Sequence, residues 1–354
     1  MMTDTSFTDM YFEYDESTMI VYKGTMSRLP YVKGSLLFAP MEGVTEEPYR
    51  LVIEKIYPEW DYLFTDFYRV PTVGKITSSP LLRHYGTKTT TDQKLRAKTG
   101  FQILTAEQAQ TSDVAKAAQE IELHHLDLNL GCPAKKVNAH RGGSFMLQDL
   151  DLMQRTVKMI RAEFHGVFTA KIRLGYHDDS NFLEIIDRLI DSGVEAITIH
   201  GRTRDQMYKG MADWDAIAKA VEHSSVPIIG NGDIWSVHDV DAMFKHTGCY
   251  AVMLGRGALK TPWLAKHYKQ YKGNFEQLHE TVLYYERLKE LDEYFSELDK
   301  SFRAHGYSET NILGRFKSLS RYLFDDFEQA DQVRSQFLRA THLEDFQHHL
   351  QILN

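Results

Sequence analysis

Asp127-Leu128-Asn129-Leu130-Gly131-Cys132-Pro133 carries an amide and a thiol directly after a short apolar stretch. Strand side chains alternate between faces, so Asp127 and Asn129 point one way while Leu126, Leu128 and Leu130 can face packed helices. Asn129 and Cys132 are therefore the first candidates for chemistry. A thiol with an ordinary pKa of about 8.5 is mostly protonated at neutral pH and can serve as a general acid. Burial as a small hydrophobe suits Cys249, which precedes an apolar strand; it suits Cys132 poorly, on a loop between glycine and proline.

Lys171 and Arg173 lie two residues apart and share a strand face. Adjacent cations repel, so an anionic or electron-rich ligand would explain the pair; the structural alternative is a salt bridge to Asp127 or Glu42. Asn231-Gly232-Asp233 and Gly255-Arg256-Gly257 pair glycines, which let backbone N–H groups approach an anion, with an arginine able to grip it by two hydrogen bonds. Either segment alone would also pass as an ordinary turn. Gln102 donates and accepts at once, which suits a ring edge, or it is a satisfied internal polar group. His200 could reach a ring edge or a phosphate, or be structural. Gly74-Lys75 is not a phosphate-binding P-loop, because Arg69 occupies the upstream glycine position, and no G-x-G-x-x-G follows a first strand.

Residues 35 to 260 repeat one unit: short apolar strand, turn, helical periodicity. Eight strands are predicted, at Leu36 to Met41, Tyr62 to Phe67, Gly100 to Leu104, His125 to Leu130, Thr169 to Leu174, Ala196 to His200, Pro227 to Asn231 and Ala251 to Leu254. Eight such units predict an α/β fold, a (β/α)8 TIM barrel, whose active site lies at the C-terminal ends of the strands, and loops after strands seven and eight commonly hold phosphate there. The candidates above fall on that rim. Beyond about residue 270 helical periodicity continues without strand signals, which predicts a C-terminal all-α helical domain. The expected division is 1–34 as an N-terminal extension, 35–268 as the barrel and 269–354 as the helical domain. Tyr11, Phe12, Tyr14, Ile20 and Tyr22 suggest a hairpin that plugs or flanks the barrel.

Composition narrows the function. Two cysteines among 354 residues are too few for a disulfide framework or a zinc cluster, so no metal is expected. No apolar run approaches the roughly 18 residues of a membrane span, and the acidic N-terminus is unlike a signal peptide, so the protein is expected to be cytoplasmic and off the membrane. The net charge of −8 excludes a general nucleic-acid coat. Residues 275 to 354 hold nine Lys/Arg against fifteen Asp/Glu, so any RNA contact must be a local, salt-sensitive patch such as Arg315, Lys317 and Arg321, with Lys135 and Lys136 nearer the rim. A monomer is expected.

Together these residues make the chain resemble the tRNA-dihydrouridine synthases. The matching segments are Ala39 to Val44, Asp127 to Pro133 with Lys136 and Val137, Lys171 to Gly175, His200 to Thr203, Asn231 to Ile234 and Gly255 to Gly257, in family order over roughly residues 35 to 265. Arg69 in Thr-Asp-Phe-Tyr-Arg-Val, Gly257-Ala258-Leu259, Arg315-Phe316-Lys317 and Arg334 are similar to the bacterial C-type group, whose members act at position 16. The resemblance implies FMN held by Pro40, Met41, Glu42, Gln102, Lys171, His200, Asn231, Gly232, Asp233, Gly255 and Arg256, with NADPH as reductant. It implies Cys132 as the proton donor at uracil C5 while hydride reaches C6, and Asn129 and Arg173 as uracil contacts. It further implies that Arg69, Arg315, Lys317 and Arg334 orient a tRNA D-loop. Departures from the family pattern are Arg141-Gly142-Gly143-Ser144 in place of a Gly- or Ala-rich run, and Thr105 where a glycine often follows the glutamine strand. A different enzyme with the same barrel, a flavin-dependent oxidoreductase of free pyrimidines or dihydroorotate, is the alternative reading.

Overall fold

The computed structural model describes residues 20–23, 25–275, 280–324 and 330–353. Eight parallel strands form its centre: β1 Leu36–Phe38, β2 Tyr62–Phe64, β3 Thr99–Leu104, β4 His125–Asn129, β5 Val167–Arg173, β6 Ala196–His200, β7 Ile228–Asn231 and β8 Ala251–Leu254. Each pairs with the next and β8 pairs with β1, so the sheet closes without an edge. The two-residue strand Tyr68–Arg69 lies alongside the top of β3. The eight predicted strands are all present, trimmed by up to three residues at the rim, where the chain turns away from its neighbours.

Alternation along the strands sorts residues into two sets. Leu36, Phe38, Leu126, Leu128, Ala170, Ile172, Ile197, Ile199, Val252 and Leu254 belong to the large core between sheet and helices. The helix Phe182–Asp191 shows the matching stripe, burying Phe182, Ile185, Ile186 and Leu189 at helical spacing. The opposite faces fill the barrel. At its lower end Leu37, Tyr62, Phe64, Val167, Ala196, Ile229 and Met253 pack with Leu29 and Tyr31, which enter from the segment before β1. Higher up the interior becomes polar: Gln102, Asp127, Thr169, Lys171, Arg173, His200 and Asn231 follow on the same faces.

The N-terminal segment flanks and plugs the barrel bottom. Ile20–Tyr22 and Thr25–Ser27 form a hairpin, and Lys23 at its turn donates to the carbonyls of Val221, Glu222 and Ser224 at the C-terminal end of helix Trp214–His223. Tyr11, Phe12 and Tyr14 lie outside the described residues.

Helices Glu280–Ala304, Glu309–Leu323, Ala330–Arg339 and Leu343–Leu353 make up the C-terminal part. Phe295, Phe316, Phe337 and Phe346 form its aromatic centre, with ring centroids 4.7 to 5.2 Å apart. The long first helix packs on the barrel helix Glu47–Ile56, where the Tyr294 hydroxyl donates to Tyr49 Oη at 2.9 Å and Ser301 Oγ to the Pro48 carbonyl at 2.8 Å. No described helix is long and apolar enough to cross a membrane.

Candidate active site

Strand register stacks the barrel's polar residues in layers. Gln102, Asp127 and Thr169 align across β3, β4 and β5. Gln102 Nε2 donates to one oxygen of Asp127 at 2.7 Å, and Thr169 Oγ1 donates to the other at 2.5 Å. Above them Asn129 aligns with Lys171, and Arg173, His200 and Asn231 align across β5, β6 and β7.

Lys171 Nζ donates to Asn231 Oδ1 at 3.2 Å, and Asn231 Nδ2 donates to the Met253 carbonyl at 2.7 Å. This differs from both salt bridges considered from sequence. Asp127 is already bonded on both oxygens, and Glu42 turns outward to Arg69 at 3.2 Å. Burial, then the neighbouring Arg173 charge, lowers the Lys171 pKa to about 8 against the pull of Asp127. Burial raises Asp127 to about 6, opposed by its two hydrogen bonds and by Lys171. His200 is pushed well below its usual range by burial and by the surrounding Lys171, Arg173, Arg202 and Arg256, so its imidazole is neutral.

The thiol loop is fixed from both sides. Asn129 Oδ1 accepts from the N–H groups of Gly131 at 3.1 Å and Cys132 at 2.9 Å, while Asn129 Nδ2 donates to Gln102 Oε1 at 2.9 Å. The Cys132 carbonyl accepts from Asn138 Nδ2 at 3.1 Å and Ser144 Oγ at 2.8 Å. The Arg141-Gly142-Gly143-Ser144 departure therefore closes this loop. Burial raises the Cys132 pKa, which keeps the thiol protonated. Arg173, 2 % exposed, spends Nε on the Gly131 carbonyl and Nη1 on those of Thr203 and Met207, at 2.8 to 3.0 Å. Burial lowers its pKa to about 10, still far above neutrality.

On the other side of the mouth the groups are less engaged. Gly232 has φ +118°, and a Cβ there would stand 2.8 Å from Ala212 Cβ and 2.9 Å from His200. Asp233 accepts from Arg202 Nη2 at 2.6 Å and from the Ala212 N–H at 2.7 Å. Arg256 opens a short helix after Gly255, with its guanidinium over Tyr208 and Trp235 at 4.6 and 5.0 Å and 3.8 Å from Asp233. First-turn N–H groups have no intrahelical acceptor, so Arg256 and Gly257 present donors at this rim. A Cβ on Gly257 would run into the Ile234 carbonyl, so only glycine lets these two loops meet. Met41 Sδ lies 3.9 Å from the Cβ position of Gly255, which brings the Pro40-Met41-Glu42 turn to the same side.

The dihydrouridine synthase family profile matches residues 37–353, nearly the whole described chain. The chain belongs to that family. Among its relatives, the "tRNA-dihydrouridine(16) synthase" of Haemophilus influenzae is 31% identical over 306 residues, 84% of this chain and 93% of the relative. That of Cupriavidus necator is 35% identical over 234 residues, 65% and 72% of the two chains. The "tRNA-dihydrouridine synthase B" of Pasteurella multocida is also 35% identical, over 242 residues, 66% and 68%.

Cations expected to meet RNA occupy different settings in this member of the family. Arg69 lies on the rim over Phe67 at 5.3 Å, half-exposed. Arg315 faces the barrel: Nη2 binds both oxygens of Glu46 at 2.7 and 2.8 Å, and Nη1 binds the Gly43 carbonyl. It clamps the helical tail to the loop that follows β1. Lys317 lies half-buried on the same helix, and Arg334 pairs with Asp331 at 3.2 Å. Sequence reasoning missed the roles of Asn138, Ser144, Arg202, Tyr208 and Glu46. Arg202 stood in the His200-Gly201-Arg202 run without a role, and Tyr208, half-exposed between Arg173 and Arg256, carries no spacing signal.

Proposed function

We propose that the chain reduces a uridine in the D-loop of tRNA, at position 16, to 5,6-dihydrouridine, using FMN and NADPH. The residues present suit FMN: Arg256 with Gly232, Gly255 and Gly257 for a phosphate, beside an Asp233 whose carboxylate holds Arg202, and a polar layer of Gln102, Lys171, His200 and Asn231 for a ring edge. Bound there, FMN supplies the hydride that adds at uracil C6. The remaining steps belong to side chains of this chain. Cys132 Sγ–H gives its proton to C5, and its raised pKa keeps that proton available. Lys171 places positive charge beside the ring layer, and neutral His200 can donate or accept there without adding charge. Arg173 keeps Nη2 for a carbonyl oxygen on which charge develops. Asn129 holds the Cys132 N–H and retains one amide hydrogen for the base.

The observation that supports this reading best is the Cys132 loop, whose N–H and carbonyl are both bonded within the protein, which fixes the residue that carries the thiol. A base must leave its stack to reach the thiol, at a cost of a few kcal/mol that a loosely stacked loop reduces. Arg69, Lys135, Lys136, Lys317 and Arg334 supply local charge for the tRNA. Incubating the purified protein with NADPH and tRNA from cells lacking it, then mapping dihydrouridine by nucleoside mass spectrometry, tests the proposal. New dihydrouridine at position 16 supports it. A colourless protein, or turnover of free uracil or dihydroorotate without tRNA, overturns it.

A further inference from the structure

Asp127 is fully buried, below the mouth, and the proton donor assigned above does not touch it. Its hydrogen bonds nevertheless run to Cys132 without a gap. An ionised carboxylate accepts only, so Gln102 must turn its NH2 toward Asp127 Oδ2, at 2.7 Å. That leaves Gln102 Oε1 facing Asn129, which must then present its own NH2, at 2.9 Å. Asn129 Oδ1 is thereby turned to the N–H groups of Gly131 and Cys132. On the other side Thr169 spends its hydroxyl proton on Asp127 at 2.5 Å, so it accepts from His125 Nε2 at 2.8 Å, and His125 Nδ1 accepts from the Tyr62 hydroxyl at 3.0 Å. Burial holds His125 neutral, as this arrangement needs. Two chains of donors thus converge on one carboxylate. Amide orientation is a choice between two near-isosteric states, and here an acceptor-only group makes that choice twice in succession.

We propose that Asp127 is a positioning residue for Cys132: through the amides of Gln102 and Asn129 it sets which atom of Asn129 faces the thiol loop. Asp127 touches neither base nor cofactor; it acts by fixing donor and acceptor order. The inference rests on the reading of Cys132 as the proton donor for its importance, and on the hydrogen-bond order for its content.

Reversing that order tests it. Asp127→Asn sets two NH2 groups against each other unless one amide turns over. Gln102→Glu sets two carboxylates against each other. In the double variant the amide introduced at position 127 donates to the carboxylate introduced at position 102. The second oxygen of that carboxylate still accepts from Asn129, so the orientation at Cys132 returns with shape and charge unchanged. The readout is the rate of Cys132 alkylation by iodoacetamide in the full-length protein, followed by peptide mass spectrometry so that Cys249 is scored separately. Each single variant should change the rate by roughly fivefold, the scale of one neutral hydrogen bond, and the double variant should return it to wild type. A wild-type rate in Asp127→Asn, or a double variant no nearer wild type than the singles, overturns the proposal. Alkylation needs no turnover. If the wild-type chain failed to reduce tRNA while this pattern held, the functional reading would fall and the positioning role would stand.

Discussion

The two sides of the barrel mouth are built on opposite plans. Around β3, β4 and β5 nearly every polar atom is matched inside the protein, from Thr169 through Asp127, Gln102 and Asn129 to Cys132. Around β7 and β8 the Arg256 guanidinium is only partly engaged, 3.8 Å from Asp233 and over the rings of Tyr208 and Trp235. The first side fixes the position of one thiol. On the function proposed above, the second would keep its donors for an anion that arrives with the ligand. Chemistry that must aim a proton at one carbon needs the first arrangement, and retention of a cofactor needs the second.

Removing the thiol should have the largest effect and confine it to the first side. Cys132→Ala is expected to slow tRNA-dependent reoxidation of reduced enzyme by roughly 10² to 10⁴, the usual contribution of a general acid, while flavin content and NADPH reduction persist. Stopped-flow absorbance separates the half-reactions, and parallel loss of flavin would show that the thiol is structural.

Arg256→Ala should act on the second side, weakening FMN retention by roughly ten- to a hundredfold, as expected for one charged hydrogen bond. Flavin occupancy after dialysis measures it; unchanged occupancy contradicts an anion-binding rim.

Lys171 joins the two sides through Asn231 and should make cofactor affinity depend on pH. Its free-protein pKa is lowered to about 8, and the acceptor atoms at the edge of a bound ring favour the charged amine, the stronger donor. FMN affinity should therefore be full below that value and fall as the pH rises through it; fluorescence titration of the apoprotein reads it, and Lys171→Met should flatten the profile. A smaller effect is expected where the C-terminal helices meet the barrel. Arg315→Ala breaks the bidentate contact to Glu46, half-buried on both partners, and should lower stability by about 1 kcal/mol in denaturant unfolding. A much larger loss of tRNA affinity with unchanged stability would show that Arg315 faces RNA instead.

Much of this was legible in the chain. Period-two alternation with turns of Gly, Asn and Asp marked all eight strands, and the same alternation set Gln102, Asp127, Asn129, Lys171, Arg173, His200 and Asn231 on the interior face. Which atoms they would bind was not legible, because register between strands fixes it: Asn231 sits two strands from Lys171 and accepts from its amine, where the structural alternative read from sequence was a carboxylate. Arg315 shows the same limit at longer range. Its basic character suggested RNA, but its partner Glu46 stands 269 residues away and is placed beside it only by helix packing. The roles of Asn138 and Ser144 escaped notice, Ser144 standing out only as part of a departure from the family pattern, because clamping a carbonyl leaves no signature in residue spacing.

The most direct measurement is a single turnover. The protein, reduced and freed of excess NADPH, is mixed with tRNA lacking dihydrouridine, flavin reoxidation is followed by absorbance, and dihydrouridine is counted by nucleoside mass spectrometry. One dihydrouridine at one tRNA position for each flavin reoxidised is the predicted result. Reoxidation without dihydrouridine, or driven equally well by free uracil, would contradict the assignment of Cys132 and its mouth to a base presented by tRNA.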